Sequence, residues 1–310
     1  MSELMQADDR DPFHLGERLA QERVGIRMRM AARGGAAIRS WMPDQHRFFF
    51  AALPFILIAT TDRDGWPGGT VLEGPPGFVS SPDPRTLHIV TRETDDPVAS
   101  RLVEGGGIGI LGIDLATRRR NRVNGRLTDV SRDGLDIAVE QSFGNCPRYI
   151  QSREITSTES VATGDRPERL AGIDAQARHL IAASDTFFVA SSAGDAVDIS
   201  HRGGRPGFVR TDGDTLTIPD FSGNHYFNTL GNFLLSPRAG LLFIDFARGD
   251  LLHLSGTVEI VWAGDEVHQF AGAERLWRLR VAHGWRRRNA LAQRWDFRGY
   301  APTTERTGTW

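Results

Sequence analysis

Residues 218–256, IPDFSGNHYFNTLGNFLLSPRAGLLFIDFARGDLLHLSG, decide the fold. An apolar strand end is followed by a polar turn rich in asparagine. A short helical segment comes next and stops before Pro237, because the residue that precedes a proline is disfavoured in a helix. The apolar run at 240–246 predicts a strand that is buried on both faces. This order of elements places amide and carboxylate groups at the rim of a sheet, where a ligand can bind.

Four motifs of the first half of the chain return in the second half in the same order. The pairs are PPGFV at 75–79 with RPGFV at 205–209, TLHI at 86–89 with TLTI at 215–218, GILGID at 109–114 with GLLFID at 240–245, and RVNG at 122–125 with HLSG at 253–256. The offset stays between 129 and 131 residues. We therefore interpret the chain as a tandem duplication of one small antiparallel β unit.

The duplication predicts a mainly β (α+β) fold in which two similar barrels meet about a false two-fold axis, as an intrachain pseudo-dimer. The predicted divisions are an N-terminal helical segment at 1–45, a first repeat at 46–155, a linker and helix at 156–180, and a second repeat with a C-terminal helical tail at 181–310.

The two halves carry different polar residues. The second half has Arg205 before its PGFV motif, and after TLTI it has Asp220, Asn224, Asn228 and Asn232. The loop of the first half that matches this second group contains no asparagine. The first half carries the segment SFGNCPRYIQSRE at 142–154, and it has three consecutive arginines at 118–120 where the second half has Ala-Arg-Gly-Asp at 247–250. Because the two sets complement each other, we expect one composite site per chain, with one wall from each half.

The arginine run lies at the start of an alternating segment. Alternation places Arg118, Arg120 and Arg122 on one face of a strand, where one of them could meet an anion. The other interpretation is a solvated strand edge, since charge also protects edges from pairing.

Four segments, DISHRGGRPGFV, IPDFSGNHYFNTLGN, SPRAGLLFIDF and GNCPRYIQ, together resemble the pyridoxamine 5′-phosphate oxidase-like proteins. These form the superfamily of FMN-binding split β-barrels, and the chain is most similar to its tandem-repeat members. The resemblance runs from about residue 40 to the end of the sequence. It implies two tandem split barrels with FMN in the groove between them.

The resemblance also implies which residues contact FMN. Arg205 matches the arginine that begins the phosphate-contacting strand, and a guanidinium suits a phosphate because it can donate two hydrogen bonds to it. The loop from Asp220 to Asn228 matches the segment around the phosphate, ribityl chain and flavin edge, and an asparagine can both donate to and accept from that edge. The predicted set is Arg205, Asp220, Asn224, His225, Asn228, Asn232, Arg120, Arg148 and Gln151.

Two departures concern the reaction. The Ser-Arg-Lys phosphate cluster of the oxidases proper is replaced by Gly-Asn-His-Tyr at 223–226, and their C-terminal tryptophan and arginine substrate motif has no counterpart. The resemblance therefore predicts an FMN-dependent oxidoreductase that acts on a small substrate, without naming the reaction or any catalytic residue. The alternatives are a non-enzymatic FMN carrier or redox sensor, and a barrel that holds haem or a deazaflavin.

Composition limits the partners and the compartment. A net charge of −2 gives no general attraction to nucleic acid or to an anionic membrane. The single cysteine, Cys146, excludes an internal disulfide and a cysteine-cluster metal site, and it favours a reducing, cytoplasmic location. The histidines show no metal-ligand spacing. Barrel faces that are not used by the internal pairing leave a further homodimer open.

Overall fold

The computed structural model describes residues 11–91, 95–158 and 166–310. Three helices come first: α1 (Leu15–Arg23), α2 (Arg27–Ala37) and α3 (Asp44–Ala52). Helix α1 begins with a capping box, in which the His14 side chain accepts from the backbone of the first turn while the Glu17 side chain accepts from the His14 backbone. No helix in the described ranges is long and apolar enough to cross a membrane.

The first half forms a seven-stranded antiparallel sheet with the order β2-β1-β5-β6-β7-β4-β3. Its strands are β1 (Phe55–Thr61), β2 (Pro67–Glu73), β3 (Val79–Ser80), β4 (Thr86–Ile89), β5 (Gly107–Asp114), β6 (Arg119–Val130) and β7 (Leu135–Asn145).

The second half repeats this topology. The connecting elements are β8 (Ser152–Thr158), β9 (Glu168–Leu170) and α4 (Ala175–Ala183). The elements that follow are β10 (Thr186–Ala193), β11 (Ala196–Gly203), β12 (Arg210–Asp212), β13 (Thr215–Phe221), α5 (Asn228–Leu235), β14 (Arg238–Asp245), β15 (Asp250–Val261), α6 (Asp265–Gln269), β16 (Ala273–Arg287) and β17 (Gln293–Gly299). The sheet order is β11-β10-β14-β15-β16-β13-β12, while β9 adds to β16 and β17 pairs with β8. Each strand thus has its counterpart at the same place in the other sheet, which confirms the predicted mainly β fold of two tandem units.

Each half has its own hydrophobic core, and a third core joins them. The run at 240–246 confirms its prediction: Leu241 and Phe243 face the core of the second half, whereas Leu242 and Ile244 face the joining core. Strand β1 shows the same alternation: Ile56 faces the core of the first half, and Leu57 faces the joining core. Alternate residues of the central strands therefore stabilise the fold of each half and the contact between the halves.

The contact between the halves is reciprocal. A Cβ on Gly109 would lie 2.8 Å from Cα of Asp198, and a Cβ on Gly240 would lie 2.9 Å from Cα of Gly68. Gly240 is the repeat counterpart of Gly109, and Asp198 is that of Gly68. Such reciprocity is the signature of a two-fold interface, and it requires glycine where the backbones meet this closely.

The divisions predicted at 45/46, 155/156 and 180/181 lie within α3, β8 and α4. The exact limits of the units stay a prediction.

Candidate functional site

A cleft opens between the halves, on one side of the false two-fold axis. It encloses about 820 Å³ of space free of atoms, part of it open to solvent. The first half supplies the start of β6 and the end of β7, and the second half supplies β11, the loop from β13 into α5, and the start of β16. Its charged lining is mostly cationic: Arg120, Arg122, Arg202 and Arg275 outnumber Asp220 and Glu274.

Two arginines of β6 cross the cleft. Arg120 donates from Nε to the Cys146 carbonyl oxygen at 3.0 Å and from Nη1 to Nδ1 of His201 at 2.9 Å. Arg122 donates from Nη1 to Asp198 at 3.0 Å and to Oδ1 of Asn228 at 3.1 Å. His201, Asp198 and Asn228 all belong to the second half, so the β6 arginines connect the two walls.

Arg118 does not share that face, so the expectation that three arginines would lie together is wrong. Strand β6 begins at Arg119, and Arg118 stands before it in a turn with φ of 55°. Its guanidinium donates to the backbone carbonyl oxygens of Ile150, Gly299 and Tyr300. Alternation applies only within the strand, and the turn rotates this side chain out of register.

The contact with Arg120 fixes the tautomer of His201. A guanidinium can only donate, so Nδ1 of His201 accepts and the ring proton lies on Nε2. Burial and the surrounding guanidinium groups hold the pKa of His201 well below its usual range. His201 is therefore a neutral ring with one donor, Nε2–H.

The wall from the second half is organised by a chain of ion pairs. Asp220, only 5% exposed, accepts from Arg202 at 2.5 Å and from Arg275 at 2.7 Å. Arg275 also donates to Glu274 at 2.8 Å. Asp220 lies opposite Arg275 in the register of β13 with β16, which explains the pairing. The carboxylate of Asp220 thus holds two arginines at the cleft.

The loop between β13 and α5 is conformationally unusual. His225 and Phe227 have backbone φ angles of 62° and 64°, a left-handed conformation that residues other than glycine rarely adopt. Asn224 stabilises the turn by accepting the backbone N–H of Tyr226 at 3.1 Å. Two of the three residues at 225–227 are therefore left-handed, and they lie beside the cleft. Backbone strain of this kind is typical of loops that bind ligands.

Several buried polar atoms in the cleft lining have no protein partner within the described ranges. They are Nε of Arg122, Nε of Arg202, Nε2 of His201 and Oδ1 of Asn145. Three of the four are donors, and a buried donor without a partner costs about 1–3 kcal/mol. The cleft is therefore complementary to a ligand rich in acceptor oxygens.

The predicted site residues fall into two groups. Arg120, Asp220, Asn224, His225 and Asn228 come together in this cleft. Of the others, Arg205 lies exposed in the turn after β11, and Asn232 is buried in α5, where it donates to Ser191 at 2.9 Å. Arg148 is exposed and donates to the Ser222 carbonyl oxygen at 3.3 Å.

Gln151 is the ninth predicted residue, and the structure places it inside the protein. Its side chain donates to the Gly204 carbonyl oxygen at 3.3 Å and to Oγ1 of Thr304 at 3.1 Å, and it accepts the backbone N–H of Ala301 at 3.0 Å. These contacts join the connecting segment to the C-terminal tail.

Sequence reasoning missed three residues that line the cleft, His201, Arg202 and Arg275. The segment DISHRGG, at 198–204, pointed to His201 and Arg202, because a strand with alternating polar residues comes directly before two glycines. No local signal marks Arg275. Within the described ranges, no group of three or more histidine, cysteine, aspartate or glutamate residues could hold a metal ion.

A second cleft also lies between residues of the two halves. Its volume is larger, about 1560 Å³, and its lining includes Trp66, His283 and Trp285. Its charged lining is balanced, with Asp62, Asp64 and Asp95 against Arg101, Arg166 and Arg169.

The buried carboxylate of Asp96 lies next to this second cleft. It accepts from Thr70 and from Arg287, both at 2.7 Å. Thr70 is the repeat counterpart of Ser200, which lines the first cleft and bonds to Thr229 there at 2.7 Å. An anionic side chain thus stands where the first cleft has a hydroxyl.

The chain is similar in part to several solved structures. No curated protein matches the chain. Among solved structures, a putative pyridoxamine 5′-phosphate oxidase from Lactobacillus delbrueckii is 17% identical, with 34% of this chain and 95% of that chain covered and a TM-score of 0.27. An FMN-binding protein from Syntrophomonas wolfei is 12% identical, with 33% and 84% covered and a TM-score of 0.27. The heme storage protein HutZ from Vibrio cholerae is 13% identical, with 37% and 93% covered and a TM-score of 0.28.

The family described as pyridoxamine 5′-phosphate oxidase matches the chain twice, at residues 42–169 and at residues 173–292. These two matches coincide with the two sheets and their connecting elements. The chain therefore belongs to the pyridoxamine 5′-phosphate oxidase family and carries the domain of that family in tandem.

Proposed function

We propose that this protein is a flavoprotein that binds one FMN per chain in the arginine-lined cleft and acts as an oxidoreductase on a small substrate. The observation that carries the proposal is the excess of arginine in that cleft, together with buried donors that lack a protein partner within the described ranges. An FMN phosphate offers the acceptor oxygens that those donors require.

Different residues of the cleft would contact different parts of FMN. Arg202 and Arg275, held by Asp220, would hold the phosphate from the second half. His201, which stays neutral, would offer its Nε2–H, and the loop with Asn224 and His225 would contact the ring system. Arg120 bonds across the narrow cleft to His201, so its side chain must move before a three-ring heterocycle can enter. When bound, the flavin supplies the hydride or electron transfer.

The stoichiometry follows from the difference between the two clefts. The second cleft has a balanced charge, and Arg287 beside it is already paired with Asp96, so this cleft attracts a phosphate less than the first. The first cleft has the cationic excess. We therefore expect one FMN per chain, and not the two that a symmetric pair of sites would bind.

A non-enzymatic carrier or redox sensor is the second candidate, and one observation favours it. Asp220 and Glu274, the two carboxylates that line the cleft, and Asp198 beside it are each ion-paired with an arginine. A general acid or base must reach the reacting group directly, and the oxygens of these carboxylates accept from guanidinium groups instead.

The test is the absorbance spectrum of the purified protein. Maxima near ~375 and ~450 nm would identify a flavin, and the flavin released on denaturation should amount to one equivalent of FMN per chain. A Soret band instead would overturn the flavin assignment in favour of haem. Steady oxidation of NAD(P)H by the flavin-loaded protein would then separate the enzyme from the carrier.

A small-molecule substrate and a cytoplasmic location are part of this proposal. They are supported by the near-neutral net charge of −2 and by the single cysteine.

A further inference from the structure

The N-terminal helix packs directly against the helix that borders the cleft. Gly16 of α1 faces Gly231 of α5, and a Cβ on Gly16 would overlap the Gly231 carbonyl oxygen. A Cβ on Gly231 would lie 2.5 Å from the backbone nitrogen of Glu17. Two glycines therefore allow the helix backbones to touch, and this contact brings the Glu17 side chain to the first residue of α5.

Glu17 is buried at that contact, with an exposed fraction of 2%. Its Oε1 accepts a short hydrogen bond from Nδ2 of Asn228, and its Oε2 accepts the backbone N–H of His14 at 2.9 Å. The capping box explains the second bond, but nothing in helix capping requires the first.

The orientation of Asn228 follows from its other neighbour. Arg122 can only donate, so the atom of Asn228 that faces it at 3.1 Å is the acceptor Oδ1. The amide nitrogen must then face Glu17, as the short contact requires. Glu17, Asn228 and Arg122 thus form one directed series that runs from the N-terminal helix through the second half into the first.

We propose that Glu17 is a positioning residue of the cleft, which fixes the Asn228 side chain and, through it, the guanidinium of Arg122 for an anionic ligand. The inference rests on the proposed binding of FMN in this cleft. It makes α1 a support behind the wall that the second half contributes to the site.

The charges around Glu17 determine how it acts. Burial raises the pKa of Glu17 to about 8, although hydrogen bonds from His14 and Asn228 and the charge of Arg122 oppose the rise. Asp198 of β11 adds to the rise. At neutral pH Glu17 is therefore an uncharged acid, and Arg122 has Asp198 as its ion-pair partner. When Glu17 ionises, a second negative charge faces Arg122 and competes with an anionic ligand for it.

The experiment measures FMN affinity against pH, by quenching of flavin fluorescence between pH 7 and 9.5, where the phosphate of FMN stays dianionic. For the parent protein we expect the affinity to fall by about fivefold or more across this range, because Glu17 loses its proton there. Glu17→Gln keeps an uncharged amide at this position and should lose most of that dependence. Glu22→Gln removes an exposed carboxylate from the same helix and should behave as the parent does.

The outcomes separate the two proposals. If the parent binds FMN with an affinity that does not change with pH, the role of Glu17 is overturned, whether or not the variant folds. The same conclusion follows if Glu17→Gln folds, as judged by circular dichroism, and keeps the parental pH profile. If the parent binds no FMN at any pH, the proposed function itself fails. Riboflavin, which lacks the phosphate, should show a weaker pH dependence than FMN, and an equal dependence would also contradict the inference.

Discussion

Arg122 of the first repeat and Asp198 of the second form a buried ion pair at 3.0 Å, with side-chain exposures of 7% and 4%. The pair lies beside Gly109 at the close contact between the halves, because the Cα of Asp198 meets that glycine. The interface between the repeats and the wall of the candidate site are therefore built from the same residues.

Asp198→Ala should destabilise the protein strongly, because it leaves the Arg122 guanidinium buried without its counter-ion. We expect a loss of about 3 kcal/mol or more in the free energy of unfolding, measured by urea denaturation. The control is Glu140→Ala, which breaks the exposed pair of Arg126 and Glu140, whose side chains are 42% and 50% exposed. That variant should lose no more than about 1 kcal/mol. Equal losses in the two variants would contradict the structural importance of the buried pair.

Arg202→Ala should weaken FMN binding by about tenfold or more, because it removes a charged donor to the phosphate. Arg205→Ala is the matched control, since Arg205 is exposed in the turn three residues later and does not line the cleft. Fluorescence titration of both variants distinguishes two assignments. A large loss in Arg205→Ala and none in Arg202→Ala would restore the phosphate contact that the family resemblance implies.

The difference between these two arginines reflects what a sequence can reveal. The family resemblance placed the phosphate contact at Arg205, directly before PGFV, because a motif is matched residue by residue along the chain. Arg202 instead lies within β11, where the alternation of the DISHRGG segment gave a signal that motif matching did not use. Arg275 depends on the register of β16 with Asp220, which is 55 residues away.

The repeat itself was predictable because both copies keep the apolar and glycine positions that the fold demands. The joining core requires alternate apolar residues on the central strands, and the two-fold contact requires glycine at 109 and 240. These constraints act on each copy alike. The polar residues of the clefts are under no such constraint, so Asp96 and Thr229 have diverged at related places. The family resemblance implies a cofactor contact for Gln151, and this stays a prediction; its side chain bonds to Gly204 and to Ala301 and Thr304 of the C-terminal tail, which no local pattern indicates.

Gly231→Ala should detach helix α1 from the site. The new Cβ would lie 2.5 Å from the nitrogen and 2.7 Å from the Cα of Glu17, which are backbone atoms that cannot move aside as a flexible side chain can. We expect a loss of about 1–3 kcal/mol in the free energy of unfolding, despite the higher helix propensity of alanine.

The control for that variant is Gly223→Ala, whose Cβ would have only the Phe221 carbonyl oxygen nearby, at 4.0 Å. Its stability should stay close to that of the parent. A Gly231→Ala protein of parental stability and parental FMN affinity would show that the contact between α1 and α5 is dispensable.

The dependence of stability on pH offers a test of Glu17 that needs no flavin. The pKa of Glu17 is about 8 in the folded protein, against an ordinary value of 4.5. Between these values the folded chain keeps a proton that the unfolded chain has released, so stability falls as the pH rises and becomes constant above about 8. Glu17→Gln cannot release that proton, so its stability should lack this dependence on pH.

The measurement is urea unfolding from pH 5 to 9. Below pH 8, the free energy of unfolding of the variant should rise relative to that of the parent by up to about 1.4 kcal/mol per pH unit. Glu22→Gln, on the exposed face of the same helix, should run parallel to the parent. If Glu17→Gln also runs parallel to the parent, Glu17 titrates as an ordinary surface carboxylate does, and its burial against Asn228 has no electrostatic consequence.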